Sequence, residues 1–159
     1  NSTNMLQASQ YCINKGINLE EALTWAQRAV SGFQGQRSFV SLRNLATAYE
    51  KLNRLQPADS IMNEALPMGS AAQYIAYGRY LIAQKRADKA LDIMHAAVKQ
   101  FGSTQGTNTG LAYAFSAKGD FTKSIEAATK ALGLANNDAA KKTIEGLITK
   151  LKEGKDINL

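Results

Sequence analysis

Apolar and small residues recur three and four positions apart through most of this chain, the spacing of one face of a helix. One block runs Leu111, Ala112, Phe115, then past Gly119 to Phe121, Ser124, Ala128, Ala131 and Leu132. Stepping back 34 residues gives Tyr77, Gly78, Leu81, Ala90, Met94, Ala97 and Val98. A further step of 32 gives Leu45, Ala46, Tyr49, Leu55, Ala58, Met62, Ala65 and Leu66. A last step of 36 gives Ile13, Leu19, Ala22, Ala26, Ala29 and Val30. The pattern predicts helices near 2–15, 19–31, 39–52, 56–66, 71–84, 87–101, 107–118, 121–134 and 138–153, with no strand among them.

Turn chemistry supports these boundaries. Asn18 followed by Glu21 reads as the start of a capping box, in which a side chain accepts an orphan amide proton. Pro57 falls in a first turn, where a missing N–H costs nothing, and Pro67 closes the same helix because its ring cannot continue the ladder. Gly119-Asp120 supplies a turn and then a cap; Asn137 opens the last helix and Gly154 ends it. The residues Ala22, Ala58, Ala90 and Ser124 hold the same place in each second helix. A small side chain there lets two antiparallel helices cross closely, while Leu, Tyr, Phe and Met fill the flanks.

A 34-residue helical pair with a small residue at position 8 and alanines at 20 and 27 resembles the tetratricopeptide repeat. Residues 105–138 match through Leu111, Ala112, Phe115, Gly119, Phe121, Ser124 and Ala131. Residues 71–104 match through Tyr74, Tyr77, Gly78, Leu81, Ala90 and Ala97, and 39–70 through Leu42, Leu45, Ala46, Tyr49, Ala58 and Ala65. In residues 3–36 only the second helix fits well, since Ser9 and Gln10 stand where the family has Leu-Gly. The resemblance implies one domain over 1–159: an all-α, right-handed solenoid of four pairs, closed by a capping helix at 138–153. That helix alternates Ile144, Leu147, Ile148 and Leu151 with lysines and glutamates, so one side can cover the stack while the other meets water.

The resemblance also implies function: a non-catalytic module that binds a peptide or partner domain in a groove lined by first helices. By the family register the groove candidates are Tyr11, Arg43, Asn44, Thr47 and Glu50, then Ile75, Arg79, Thr109 and Tyr113. Gln7, Asn14, Lys15, Ile82 and Ser116 share those faces. Arg43 and Arg79 are the anchors expected to hold a carboxylate through two hydrogen bonds. A clamp for a chaperone's terminal carboxylate is excluded, because Gln7, Tyr11, Asn44, Ala72 and Ala76 occupy its five positions and only Asn44 agrees.

Stretches 17–25, 77–85 and 151–158 also look like the helical tail of exported Bacteroidetes proteins of unknown function. That likeness implies an extracytoplasmic location and an alternative role, a structural appendage packed on a β-rich domain. The start, Asn1 to Met5, has neither a basic leader nor an apolar stretch and reads as a processed or excised fragment.

Composition narrows the remaining classes. There are 19 Lys and Arg against 13 Asp and Glu, a net charge of +6, but the basic residues are scattered and form no cluster for nucleic acid. Base-reading positions on every first helix, as an RNA reader needs, are not discernible at Thr47, Arg79 and Tyr113. One Cys12 and one His95 leave no disulfide framework, zinc site or catalytic pair. No apolar run reaches the length of a membrane span. Segment 102–110 is glycine-rich, yet it lacks the Gly-Lys-Ser/Thr ending of a phosphate loop and falls where the period demands a connection. No cofactor, metal, nucleic acid or membrane insertion is expected; the partner is a protein or peptide, and the oligomeric state is open.

Overall fold

The computed structural model describes residues 1–159 and is all-helical. Its contacts divide the chain into two compact units, Asn1–Gly69 and Ser70–Leu159. Unit 1 contains α1 (Ser2–Lys15), α2 (Leu19–Val30), α3 (Phe39–Lys51) and α4 (Leu55–Ala65), followed by a 3-10 turn at Leu66–Met68 that holds Pro67. Unit 2 contains α5 (Ala71–Ala83), α6 (Ala87–Phe101), α7 (Gln105–Ala117), α8 (Phe121–Leu134) and α9 (Asp138–Lys152).

Each unit is built of helical hairpins of the tetratricopeptide type. In unit 1, α1 packs on α2 and α3 on α4, with α2 and α1 both against α3. In unit 2, α5 packs on α6 and α7 on α8, α6 and α5 both lie against α7, and α9 covers α8. The first helices of neighbouring pairs therefore touch within each unit, α1 on α3 and α5 on α7, and share one face. The recurring small residues Ala22, Ala58, Ala90 and Ser124 are all completely buried, as a close helix crossing requires. Where the small residue is a serine, the opposite helix satisfies its hydroxyl. Ser9 donates to the Ala22 carbonyl at 2.8 Å and Ser124 to the Ala112 carbonyl at 2.6 Å.

The turns explain an irregularity of the period. After α3, α5, α7 and α9, the middle turn residue is left-handed: Asn53, Lys85, Gly119 and Gly154, with φ of 58°, 63°, 78° and 71°. The next residue donates its N–H back across the helix end, Arg54 to Tyr49, Arg86 to Leu81, Asp120 to Phe115 and Lys155 to Lys150, at 2.8–3.0 Å. After α1 the left-handed residue is Gly16, the first of the three connecting residues, so two residues and not one separate it from α2. Asn18 is that extra residue. It is itself left-handed (φ 48°) and makes no side-chain cap, which corrects the capping-box reading. Ser9 thus stands seven residues before its left-handed turn residue, as Ala46, Gly78 and Ala112 stand before theirs, and Ser9, not Gln10, fills the crossing.

Three first helices open with reciprocal capping boxes: Ser38 with Ser41, Ser70 with Gln73, and Thr104 with Thr107. The last of these starts α7 at Gln105, so segment 102–110 is only partly a connection. Asp120 and Asn137 cap α8 and α9 as expected. Pro57 is the third residue of α4, still within the turn that tolerates it.

In unit 2 the core joins Leu111, Ala112, Ala128, Ala131, Ile144 and Leu151, with Met94 at its α6 side. Met94 is fully buried and wedged against two glycines. A β-carbon on Gly78 would lie 2.5 Å from its Cε, and one on Gly110 would lie 2.7 Å from its Sδ. Tyr74 and Phe101 meet edge to face at 5.2 Å.

Candidate functional site

The shared face of α1 and α3 in unit 1 is largely satisfied from within. The Arg43 guanidinium donates to Thr47 Oγ1 at 2.8 Å and to Glu50 Oε1 at 3.2 Å; the side chains of Arg43 and Glu50 are 18% and 6% exposed. Thr47 donates in turn to the Arg43 carbonyl at 2.8 Å. One arginine, one threonine and one glutamate are thus linked along a single helix, and Arg43 is engaged there rather than standing open as an anchor. Asn44 is only 7% exposed, and its amide donates to Ser9 Oγ at 3.0 Å. With the bond from Ser9 to Ala22, that ties α3 to α1 and α2. Asn44 therefore belongs beneath the surface, not on it. Tyr11 is the open residue of this face, at 60% exposure, beside exposed Gln7, Asn14 and Lys15.

Unit 2 is different. Arg79 on α5 lies exposed over the ring of Tyr113 on α7, its guanidinium carbon 4.2 Å from the ring centroid. Guanidinium and ring attract through the ring's negative face. Arg79 borders an open depression of about 440 Å³ with Ala76, Tyr80, Ile82, Ala83 and Asn158. Ile75 is half-buried and packs against α7, 3.5 Å from where β-carbons on Gly106 and Gly110 would stand. Thr109 is half-buried, its hydroxyl bonded back to the Gln105 carbonyl at 2.7 Å.

Asn158 at that rim is the visible end of a larger contact that sequence reasoning missed. Beyond α9 the chain reverses at Gly154 and lays Asp156, Ile157 and Asn158 against α7. Ser116 Oγ donates to Asp156 Oδ1 at 2.7 Å and accepts the Ile157 N–H at 3.0 Å. Asn158 donates from its carboxamide to the Tyr113 carbonyl at 2.9 Å, and its N–H and carboxamide both reach Asp156 Oδ1, at 3.0 and 2.7 Å. Ile157 is buried with the unit 2 core. Partial burial works to raise the Asp156 pKa, but the Asn158 N–H, the Ser116 hydroxyl, the Asn158 carboxamide and the Lys85 charge together hold it below the usual value. Two of the predicted face residues, Tyr113 and Ser116, are thus occupied by the chain itself. A signal was present: Asp-x-Asn is an Asx-turn sequence, and Ile157 is a lone apolar residue in a polar run after a glycine.

The remaining chemistry-bearing residues play packing or surface roles. His95 is exposed and edge-on to Phe115, with centroids 5.9 Å apart. Cys12 is buried. Asp88 pairs with Lys118. No helix is long and apolar enough to cross a membrane.

No family model and no curated protein matches the chain. Among solved structures it resembles MamA AMB-1, in an orthorhombic crystal, with a TM-score of 0.51 and 14% identity over 96% of this chain and 85% of that one. It resembles MamA MSR-1, in a monoclinic crystal, with a TM-score of 0.51 and 13% identity over 96% and 95%. MamA is a TPR-like helical protein. At such identity the likeness concerns the fold, and the chain has a TPR-like, all-helical fold.

Proposed function

We propose that the chain is a non-catalytic protein–protein interaction module whose recognition surface lies on the α5–α7 face of unit 2. The observation that supports this is Arg79 lying over the Tyr113 ring at the edge of an open depression. A stacked guanidinium is pre-positioned, so little side-chain freedom is lost when it meets a carboxylate. The ring beside it offers rigid apolar area of the kind that dominates binding energy. The ligand that suits this pair is an extended segment with an acidic side chain next to an apolar one. Arg43 is engaged with Thr47 and Glu50 and is left out of the surface; Tyr11 is the remaining contact candidate on unit 1.

A peptide-display selection against the full chain, repeated with Arg79→Ala, tests the reading. The expected result is a convergent family of acid-bearing peptides that the variant fails to retain, with the melting temperature of the variant within about 2 °C of the parent, as expected for an exposed position. Equal retention by the two proteins, or no convergence at all, would overturn it.

A further inference from the structure

The geometry points to residues 156–158 as a reversible plug: an intramolecular ligand seated on the recognition face of unit 2, which a partner segment of Asp–aliphatic–Asn chemistry displaces. This rests on the binding surface proposed above and specifies its regulation. Three features carry it. First, the contact has the form of peptide recognition. A side-chain carboxylate, a buried aliphatic group and a carboxamide follow one another along three residues, and each meets the unit 2 fold. Asp156 meets the Ser116 hydroxyl, Ile157 enters the apolar core while its N–H meets Ser116, and Asn158 meets the Tyr113 carbonyl.

Second, the plug and the anchor share one residue. Tyr113 holds Asn158 through its backbone and Arg79 through its ring, and Asn158 forms part of the rim beside Arg79. An incoming segment that fills the depression beside Arg79 meets Asn158 there. Third, the contact is short. A single apolar side chain is buried, and the residues on either side, 152–155 and Leu159, are exposed. One buried side chain and a handful of hydrogen bonds only moderately exceed the entropy of ordering three residues. Such a segment opens locally while the helices beneath it stay folded.

The test uses the full chain and a fluorescent peptide of the sequence 155–159. In the variant Asp156→Ala, Ile157→Ala, Asn158→Ala the peptide is expected to bind at least tenfold more tightly than to the parent, by fluorescence anisotropy. Adding Ser116→Ala should abolish that gain. Equal affinity for parent and variant, or no binding to the variant, overturns the plug. Acid-bearing peptides that need Arg79 yet bind parent and variant equally overturn the plug and leave the binding surface standing; if none needs Arg79, the surface itself fails.

Hydrogen exchange on the unaltered chain gives a second readout that survives any folding defect of the variant. The Ile157 amide is expected to exchange at least a hundredfold faster than the Leu111 amide of α7. Equal protection would make the segment an integral part of the fold and refute displacement.

Discussion

The Met94 wedge makes a prediction whose sign depends on packing alone. Replacing a helical glycine by alanine ordinarily stabilises by about 1 kcal/mol, because the unfolded chain loses freedom and the helix gains a better former. Gly146 in α9 is the control: nothing lies within 4 Å of its virtual β-carbon, so Gly146→Ala should gain about 0.5–1 kcal/mol. Gly110 in α7 has the same backbone preference but places its β-carbon 2.7 Å from Met94 Sδ. Ordinary carbon contacts begin near 3.5 Å, so the sulfur must retreat by almost an ångström inside a fully buried site. Overpacking of that kind costs about 1–3 kcal/mol. Offset by the helix gain, Gly110→Ala should destabilise by about 0–2 kcal/mol, placing it roughly 1–3 kcal/mol below Gly146→Ala.

Gly78→Ala approaches more closely, 2.5 Å, but meets the Met94 Cε at the mobile tip, which can swing aside. It should therefore cost less than Gly110→Ala despite the shorter distance. Urea denaturation followed by helical circular dichroism is the assay, since the only tryptophan, Trp25, lies in unit 1. Combining Gly110→Ala with Met94→Val removes the clashing atoms, so the pair should be non-additive by about 1 kcal/mol in the rescuing direction. Equal gains from Gly110→Ala and Gly146→Ala, or strict additivity with Met94→Val, would refute the wedge.

Further predictions follow from the same accounting. Ala58→Leu or Ala90→Leu should cost about 1–3 kcal/mol, because both alanines are fully buried at helix crossings; a urea midpoint within error of the parent would deny the crossing. Asn44→Ala should cost about 1–3 kcal/mol by stripping the buried Ser9 hydroxyl of its donor, whereas a purely surface Asn44 would shift thermal melting hardly at all. Lys85→Gly should stabilise by about 0.5–1 kcal/mol, since Lys85 occupies a left-handed position that glycine adopts without strain; a lower melting temperature would count against it. Ser116→Ala should weaken the acid sensitivity of unit 2. The folded Asp156 pKa is depressed, so its stabilisation is present above the unfolded value and is lost as pH falls from about 4. Stability profiles from pH 2 to 7 that superimpose for parent and variant would exclude that linkage.

The repeat was legible because it rests on local rules that the chain states many times. Small residues at the crossings and turn residues between helices recur at a near-constant step, and each recurrence supports the others. What escaped was whatever broke the step. The extra residue between the left-handed Gly16 and α2 moved the crossing from Gln10 to Ser9 and gave Asn18 a left-handed conformation where its sequence neighbours suggested a cap. The groove residues were legible as a face but not as individual roles, because a family register assigns direction and says nothing of partners. Asn44 points inward to a serine that the family does not have. The 156–158 contact escaped for a different reason: Asp156 and Asn158 announce a local turn, but the hydrogen bonds that seat it join residues about 40 apart, outside any periodic pattern.

The contrast between the two arginines, however, was written locally. Arg43 has Thr47 four residues on and Glu50 seven on, so both partners lie on its own helix face one and two turns away. The guanidinium is consumed before any ligand arrives. Arg79 has Ile75, Ala76, Ile82, Ala83 and Arg86 at the corresponding distances, and no carboxylate occurs anywhere in α5. Its charge can be met only from another element, and the element that reaches it is α7, with a ring in place of an acid. A ring leaves the N–H edge unneutralised. The same residue type on two first helices is thus partnered in opposite ways: one arginine pairs along its own helix, and the other lies over a ring of the neighbouring one. If Glu is introduced four residues after Arg79, as Ala83→Glu, the intrahelical pair so formed should silence Arg79 as completely as its removal does. Binding of the selected peptides would then fall to the Arg79→Ala level, whereas an unchanged affinity would show that the carboxylate is read elsewhere.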